Sequence, residues 1–336
     1  MKDPGEKKKV SKTPYDDVFH TLLNDCSRLI IPVINEIFHE HYRGGEIITF
    51  HANEHYINTQ DDTLEKRITD NCFDIQGETK KKYHAECQSI SDSSMLVRMF
   101  EYGTQIALDE GKTEGNVLEV EFPHVAVLFL RSNKNTPDSM KIRMKTPGGD
   151  VSYDIPVMKV QNYTLEGIFE KNLLFLIPFY IFNHESRLKE YNTNPEKLET
   201  LKKEYEYIKN KLEELCLEYK LDAYTRAAIH KMSNNVVESL AAKYENVKEG
   251  VVEIMGGKIL DYEAKQIKNE GRAEGRSEAN IETAQRMLLG NMQVSFIVDM
   301  TSLPKEKVED IRKEMIKNGQ LKEKEPKPER KKGKSH

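Results

Sequence analysis

The sequence predicts an α/β protein in which a sheet and helices share one core and a long helical region follows. Three observations support this fold class. An amphipathic pattern fills residues 15–42, strand-like segments separated by turn signals dominate residues 46–160, and helical periodicity returns at Leu165 and continues. A sheet covered by helices lets both kinds of element bury their apolar faces around one core.

The first helix is predicted between Tyr15 and Tyr42. Apolar residues recur there at intervals of three and four, which is the spacing of one helix face. Thr13-Pro14 suits the start of a helix, and Gly44-Gly45 suits its end. Pro32 is expected to kink or split the helix, because proline has no amide hydrogen to donate.

Strands are predicted where apolar and polar residues alternate or where short apolar runs lie between turn residues. These segments are residues 46–58, 67–76, 82–90, 123–132, 139–146 and 150–160. The polar connection 77–81 joins the second and third segments into a β-hairpin, and Pro147-Gly148-Gly149-Asp150 joins the last two. Residues 123–132 are strongly apolar, so we expect that strand in the middle of the sheet. A helix is expected at residues 94–110.

Two segments of the helical region have a more specific pattern. Residues 196–246 contain two long charged helices with narrow apolar stripes, which indicate an antiparallel helical hairpin or a coiled-coil-like arm. Residues 293–315 read as helix, turn and helix, with a small core that includes Phe296 and Met300. This segment could be a DNA-binding helix-turn-helix, but its second helix has as many acidic as basic residues, which favours a plain hairpin.

The predicted organisation has four parts. A disordered basic N-terminus covers residues 1–13, and a sheet-containing domain covers residues 14–185. A helical region covers residues 186–318, and a disordered basic tail covers residues 319–336.

The charge distribution is uneven along the chain. The net charge is −5, whereas residues 1–12 carry +3 and residues 321–336 carry +4, which leaves −12 for the body between them. Basic tails on an acidic body can contact phosphate groups, or they can simply be solvated ends.

Composition also bounds the cellular setting. The four cysteines (Cys26, Cys72, Cys87 and Cys216) are scattered without a CxxC pair, which favours reduced thiols in a cytoplasmic protein over a disulfide or zinc framework. The Lys-rich start precedes no apolar stretch, so no secretory signal is expected. No apolar run reaches the roughly 18 residues typical of a membrane span, so no membrane partner is expected.

The predicted hairpin brings together a set of polar residues. Side chains alternate between the two faces of a strand, so His84, Glu86 and Gln88 share one face and Tyr83, Ala85 and Cys87 share the other. Asp70 comes from the partner strand, and its carboxylate and that of Glu86 could converge on one cation. The alternative is a solvated hairpin at the edge of a sheet. For His84, the alternatives are a packing or hydrogen-bonding residue and a direct metal ligand.

Two carboxylates on rigid strands make an oxygen-rich site of the kind that Mg²⁺ prefers. A cation there would polarise a phosphate group and lower the pKa of a bound water, which then attacks phosphorus. Gln88, two residues after Glu86, would orient that water.

Several strings of the sequence resemble one known family. RITDNCFDI, YHAECQS, SMLVRMFEYGTQIALDE, NEHYI and the C-terminal ANIETAQRMLLGN and VDMTSLPKEKVEDI are similar to the Rpn family of recombination-promoting nucleases and putative transposases. Asp16-x-x-Phe19 matches the opening of that family. The similarity spans residues 15–183 well and the helical tail loosely. The family belongs to the PD-(D/E)XK nuclease superfamily, so the resemblance implies a restriction-endonuclease-like core, a mixed sheet flanked by helices.

The resemblance also implies a function and a set of site residues. It implies a DNA endonuclease that uses Mg²⁺ or Mn²⁺ and acts in recombination or transposition. Asp70 matches the metal-binding Asp, Glu86 matches the metal-binding Glu, and Gln88 stands where the superfamily usually has Lys. An additional metal-binding Glu on the first helix is common in the superfamily, and Glu36 or Glu40 is the candidate here.

Two other functions remain compatible with the sequence. The absence of the usual Lys at Gln88 and the acidic body suit a non-catalytic DNA-binding or assembly protein that keeps the nuclease fold. A toxin-like or phage-defence nuclease, whose helical arm at residues 196–246 binds a partner, is the other. The long charged helices are also compatible with a homodimer.

Overall fold

The structure of the protein is a computed structural model. It describes residues 14–51, 54–58, 64–68, 71–89, 94–256, 280–281, 283–290, 292–301, 303–318 and 321, and of residues 54–58 and 64–68 only the backbone is described. The disordered ends expected at residues 1–13 and 319–336 lie outside the described residues, Leu321 aside. The chain divides into two compact units, residues 1–262 and residues 263–336.

The first unit contains a six-stranded mixed sheet with helices on both faces, which confirms the α/β class. Its strands, in spatial order, are β1 (Ile47–Phe50), β4 (Cys72–Gln76), β5 (Lys80–Gln88), β8 (His124–Phe129), β10 (Gly149–Lys159) and β9 (Ser139–Thr146). β8 runs parallel to both β5 and β10, whereas the other pairs are antiparallel. β8 is buried in the middle of the sheet, as its apolar sequence predicts.

Two of the predicted strands are each divided between different sheets. Residues 46–58 form β1 and β2 (Glu54–Asn58), and β2 pairs with β3 (Leu64–Ile68) in a separate two-stranded sheet. The predicted strand 67–76 therefore joins the end of β3 to β4. Alternation along the chain cannot separate successive strands, because it continues regardless of which partner each strand has. A third small sheet pairs β6 (Lys112–Glu114) with β7 (Val117–Glu119).

The first predicted helix is split, as its proline suggested. α1 (Pro14–Asp25) is followed by a 3₁₀ turn (Ser27–Leu29) and by α2 (Ile30–Phe38). Pro32 lies in the first turn of α2, where the amide hydrogen that it lacks has no partner within the helix. The expected end near Gly44 is wrong, because His39 adopts a left-handed conformation (φ 55°) directly after α2.

Helices dominate the chain after the sheet, as predicted. They are α3 (Met95–Asp109) within the sheet region, then α4 (Leu165–Glu170), α5 (Leu188–Thr193), α6 (Pro195–Leu217), α7 (Ala223–Leu240) and α8 (Glu245–Ile254), with 3₁₀ turns at Leu174–Arg187. The apolar stripe of α6 is buried in the same core as α1 and α2. The α6–α8 region therefore packs within the first unit, and whether residues 14–185 fold as a separate domain stays a prediction.

The two faces of the sheet meet different cores. The larger core lies between one face and helices α1 and α2, and from the sheet it includes Phe73, Tyr83 and Cys87. The smaller core lies between the opposite face and α3, with Met95 and Met99 packed on apolar residues of β8. The face covered by α3 is the one that carries the candidate site.

The second unit includes helices Val294–Thr301 and Lys305–Lys317 together with helical residues near 280–289. Ile297, Val308 and Ile311 form part of its apolar core. Phe296 and Met300 were expected in that core but are 48% and 60% exposed, because they lie on the outer face of their helix. That this segment is a plain helical hairpin and not a DNA-binding helix-turn-helix stays a prediction. No helix in the described part of the chain is both long and apolar enough to cross a membrane.

Candidate functional site

Strand β5 separates its polar and apolar side chains as predicted. Tyr83, Ala85 and Cys87 are buried in the larger core. Lys82, His84, Glu86 and Gln88 alternate with them on what we call the even face of β5. The even face is bordered by β8, where Val125 pairs with His84 and Val127 pairs with Glu86.

The neighbouring strand β4 runs antiparallel to β5. Cys72 lies opposite His84, and Asp74 lies opposite Lys82. One residue further, the Ala85 amide donates a hydrogen bond to the Asn71 carbonyl at 3.2 Å. Asp70, the predicted partner of Glu86, lies outside the described residues. Asn71, the next residue in the sequence, is hydrogen-bonded to Ala85 of β5.

Glu86 has one described polar contact. Its Oε1 lies 3.2 Å from His84 Nε2, and its side chain is 18% exposed. His84 is fully buried, and its ring meets the Tyr102 ring edge-on at 5.7 Å between centroids. Gln88 is half-buried at the end of β5, and its carbonyl accepts a hydrogen bond from the Leu130 amide at 2.9 Å.

The two glutamates proposed as additional ligands belong to other contacts. Glu40 accepts hydrogen bonds from Lys81 Nζ at 2.7 and 2.9 Å and from the Tyr83 hydroxyl at 3.2 Å. Lys81 and Tyr83 project from the face of β5 opposite Glu86, so Glu40 is on the wrong side of the sheet. Burial of the carboxylate acts to raise the pKa of Glu40. The hydrogen bond and the positive charge of Lys81 outweigh burial, so the pKa is lowered.

Glu36 is also directed elsewhere. Its Oε1 accepts hydrogen bonds from Lys171 Nζ at 2.5 Å and from the Tyr163 hydroxyl at 3.2 Å. Helix α2 packs on the larger core, and for that reason Glu36 on the helix and Glu40 just after it pair with groups on that side. The sequence pattern does not reveal which face of a sheet a helix will cover.

A second polar group on the even face was not singled out from the sequence. His51 Nε2 and Lys80 Nζ contact Asp74 Oδ2 at 2.8 and 2.7 Å, and Lys82 Nζ contacts Glu110 Oε1 at 2.5 Å and Asp74 Oδ1 at 3.3 Å. We call these five residues the Asp74 cluster. The alternation that marks Glu86 also marks Asp74 and Lys82, but His51 directly follows β1, Glu110 directly follows α3, and neither has a sequence signal.

The Asp74 cluster is already neutralised by its own cations. Ligand atoms of His51, Asp74 and Glu110 lie within 4.8 Å of one another, a separation that one metal ion could bridge. However, the ammonium groups of Lys80 and Lys82 stand beside the two carboxylates. Burial of the carboxylate acts to raise the pKa of Asp74. The hydrogen bonds from Lys80 and His51 and the charge of Lys82 outweigh burial, so the pKa is lowered. The contacts describe an ion-paired cluster that joins the end of α3 to the sheet.

The Glu86 end of the even face has a different donor chemistry. Its carboxylate is partly exposed, and within the described residues no lysine or arginine is paired with it. A second carboxylate belongs to Asp70, the residue immediately before Asn71 in the sequence. A carboxylate without a paired lysine or arginine fits a hard divalent cation.

Comparison of the chain with known protein families, with curated proteins and with solved structures gives no match. The resemblance to the Rpn family therefore rests on the sequence strings quoted above. The α/β fold and the position of Glu86 are consistent with it, and the family assignment stays a prediction.

Proposed function

We propose that the protein is a metal-dependent endonuclease of the PD-(D/E)XK type that hydrolyses DNA phosphodiester bonds, in the recombination or transposition setting that the Rpn-like strings imply. The observation that carries this proposal is the polar end of β5. Glu86 and Gln88 lie on its even face, paired with Val127 and Phe129 of β8, while the opposite face is buried in the core. A partly exposed carboxylate on a rigid central strand is suited to holding a cation.

The chemistry divides among three side chains. Asp70 and Glu86 hold Mg²⁺ or Mn²⁺ through carboxylate oxygens. When bound, the cation acts as a Lewis acid that polarises the phosphate and makes a water molecule more acidic. Gln88 orients the attacking water through hydrogen bonds. Because Gln88 is uncharged, it contributes less electrostatic stabilisation than a lysine would.

Plasmid nicking in the presence of Mg²⁺ or Mn²⁺ tests this proposal. Glu86→Ala and Asp70→Asn should each reduce cleavage by more than about 100-fold, because even outer partners of metal ligands are worth about 10–100-fold. Glu78→Ala is the matched control, since Glu78 is an exposed acid in the turn of the same hairpin. Cleavage that survives both site substitutions at the wild-type rate, or that persists in EDTA, would refute the proposal.

Gln88 supports a second candidate function, that of a DNA-binding or assembly protein that has lost cleavage. The one described lysine on the even face near the site, Lys82, is bound to Glu110 and Asp74 and is four residues from Glu86 along β5. At about 3.3 Å per residue, it is too distant to replace the missing charge. DNA binding without cleavage by the wild-type chain would favour this second function.

A further inference from the structure

His84 occupies an apolar pocket under helix α3. Its neighbours are Cys72 on β4, Val125 on β8 and the ring of Tyr102 on α3. The side chain is 0% exposed. A polar ring in such surroundings is costly unless it is hydrogen-bonded, and an aliphatic or aromatic residue would fill the same space without that cost.

The polar contact that His84 makes is directed at the proposed site. Its Nε2 lies 3.2 Å from Glu86 Oε1. An ionised carboxylate can only accept, so a hydrogen bond between these two atoms requires the imidazole proton on Nε2. Nδ1 is buried and has no hydrogen-bond partner within the described part of the chain. Within the described residues, one oxygen of Glu86 is therefore the hydrogen-bond partner of this buried ring.

We propose that His84 is a positioning residue that holds the Glu86 carboxylate in the orientation needed to bind the catalytic cation. This inference rests on the proposed function. His84 and Glu86 are two residues apart on one strand, so both point to the same face. With Oε1 held by His84, the second oxygen, Oε2, would remain available to the cation. Packing against Cys72, Val125 and Tyr102 keeps the imidazole from following Glu86 if the carboxylate rotates.

The proposal differs from a purely structural role in what it expects of metal binding. If His84 only filled space, replacing it would change stability but not the affinity of a folded protein for the cation. If His84 orients Glu86, loss of the donor should weaken metal binding by about 10–100-fold, the usual cost of removing a hydrogen-bonding partner of a metal ligand.

Methionine and glutamine provide a matched pair of substitutions at this position. They have nearly the same length and shape, but only glutamine has an amide donor. Mn²⁺ affinity of the full chain is measured by electron paramagnetic resonance of free Mn²⁺, and thermal melting checks that each variant is folded. His84→Met should bind Mn²⁺ about 10–100-fold more weakly than the wild type, and His84→Gln should recover most of that loss.

Each outcome distinguishes this inference from the proposed function. Equal Mn²⁺ affinity of wild type and Glu86→Ala would overturn the metal site and with it the role of His84. Loss of binding in Glu86→Ala, combined with wild-type affinity in folded His84→Met, would overturn only the role of His84.

A second measurement needs no substitution at His84. Long-range ¹H–¹⁵N spectra of the wild-type histidine rings report which nitrogen carries the proton. We expect the Nε2–H form for His84 and a shift of its ring signals when Mg²⁺ is added. The Nδ1–H form, or ring signals that do not shift when Mg²⁺ is added, would overturn the proposal even if His84→Met does not fold.

Discussion

The even face of β5 has a polar group at each end, and the carboxylates in these two groups differ in their partners. At one end, Asp74 is 5% exposed and lies beside two lysines and His51. At the other end, Glu86 is 18% exposed and its one described polar contact is with His84. Both carboxylates sit on strands of one hairpin, so secondary structure does not distinguish them.

The difference between the two ends is charge compensation. Lys80 and Lys82 already neutralise the charges of Asp74 and Glu110, so a metal ion would have to displace an ammonium group from them. Glu86 has no paired lysine or arginine among the described residues, which leaves its charge available for a cation. A carboxylate with its own lysine serves stability, whereas one without is a candidate ligand.

The largest expected effect is on cleavage and comes from Glu86→Gln. This change removes the charge but keeps the shape, so DNA cleavage should fall by more than about 100-fold. The melting temperature should shift by no more than about 4 °C, because at most one hydrogen bond is weakened. Plasmid nicking and thermal melting measure both effects. Glu110→Gln is the control in the Asp74 cluster and should cleave like the wild type.

Lys82→Met should have the opposite effect, a loss of stability without a loss of metal binding. Asp74 keeps Lys80 and His51 but loses one cation, and we expect a loss of about 2 kcal/mol in the free energy of unfolding, the usual contribution of a hydrogen bond to a charged group. Urea unfolding measures this loss, and Mn²⁺ affinity of the folded variant should stay unchanged. Glu110→Gln should cost less than about 1 kcal/mol, because the Glu110 side chain is 50% exposed. If Lys82→Met loses Mn²⁺ binding instead of stability, the division between the two ends is wrong.

The acid sensitivity of Asp74 gives a third test. Although burial opposes it, pairing with Lys80, His51 and Lys82 lowers the pKa of Asp74 in the folded protein. Its stabilisation is therefore present above the ordinary aspartate pKa of about 4 and is lost as the pH falls through the folded value. Asp74→Asn should be less stable than the wild type at pH 7, and the gap measured by urea unfolding should narrow towards pH 3. A gap that stays constant with pH would contradict the charge pairing.

The smallest expected effect belongs to Gln88→Lys. A charged hydrogen bond is worth about 1 kcal/mol more than a neutral one, which corresponds to about fivefold in rate. Cleavage should be retained or raised by about that factor under the same nicking conditions. A loss of cleavage comparable to that of Glu86→Gln would mean that Gln88 has a role that a positive charge cannot fill.

Much of the fold could be predicted because it depends on local patterns. Pro32 marks the split of the first helix, and the apolar run at residues 123–132 marks the central strand β8. The alternation of β5 separates the core residue Tyr83 from Glu86. In each case neighbouring residues determine the feature.

The site was only partly predictable, because part of it depends on contacts between distant segments. The even face of β5 follows from alternation, whereas the Asp74 cluster needs His51 just after β1 and Glu110 just after α3. Glu36 and Glu40 pair with Lys171 and Lys81, because α2 and the residues just after it cover the other face of the sheet. No pattern within α2 encodes that choice.

By itself, the sequence determined the α/β class, the hairpin and the residues that share a face with Glu86. The tertiary structure decided which of those residues have partners. Lys82 is paired by Glu110 and Asp74, and His84 is enclosed by Tyr102, Cys72 and Val125. The physical reason is that side-chain direction follows backbone periodicity, whereas charge compensation and burial depend on groups that only folding brings within a few ångströms.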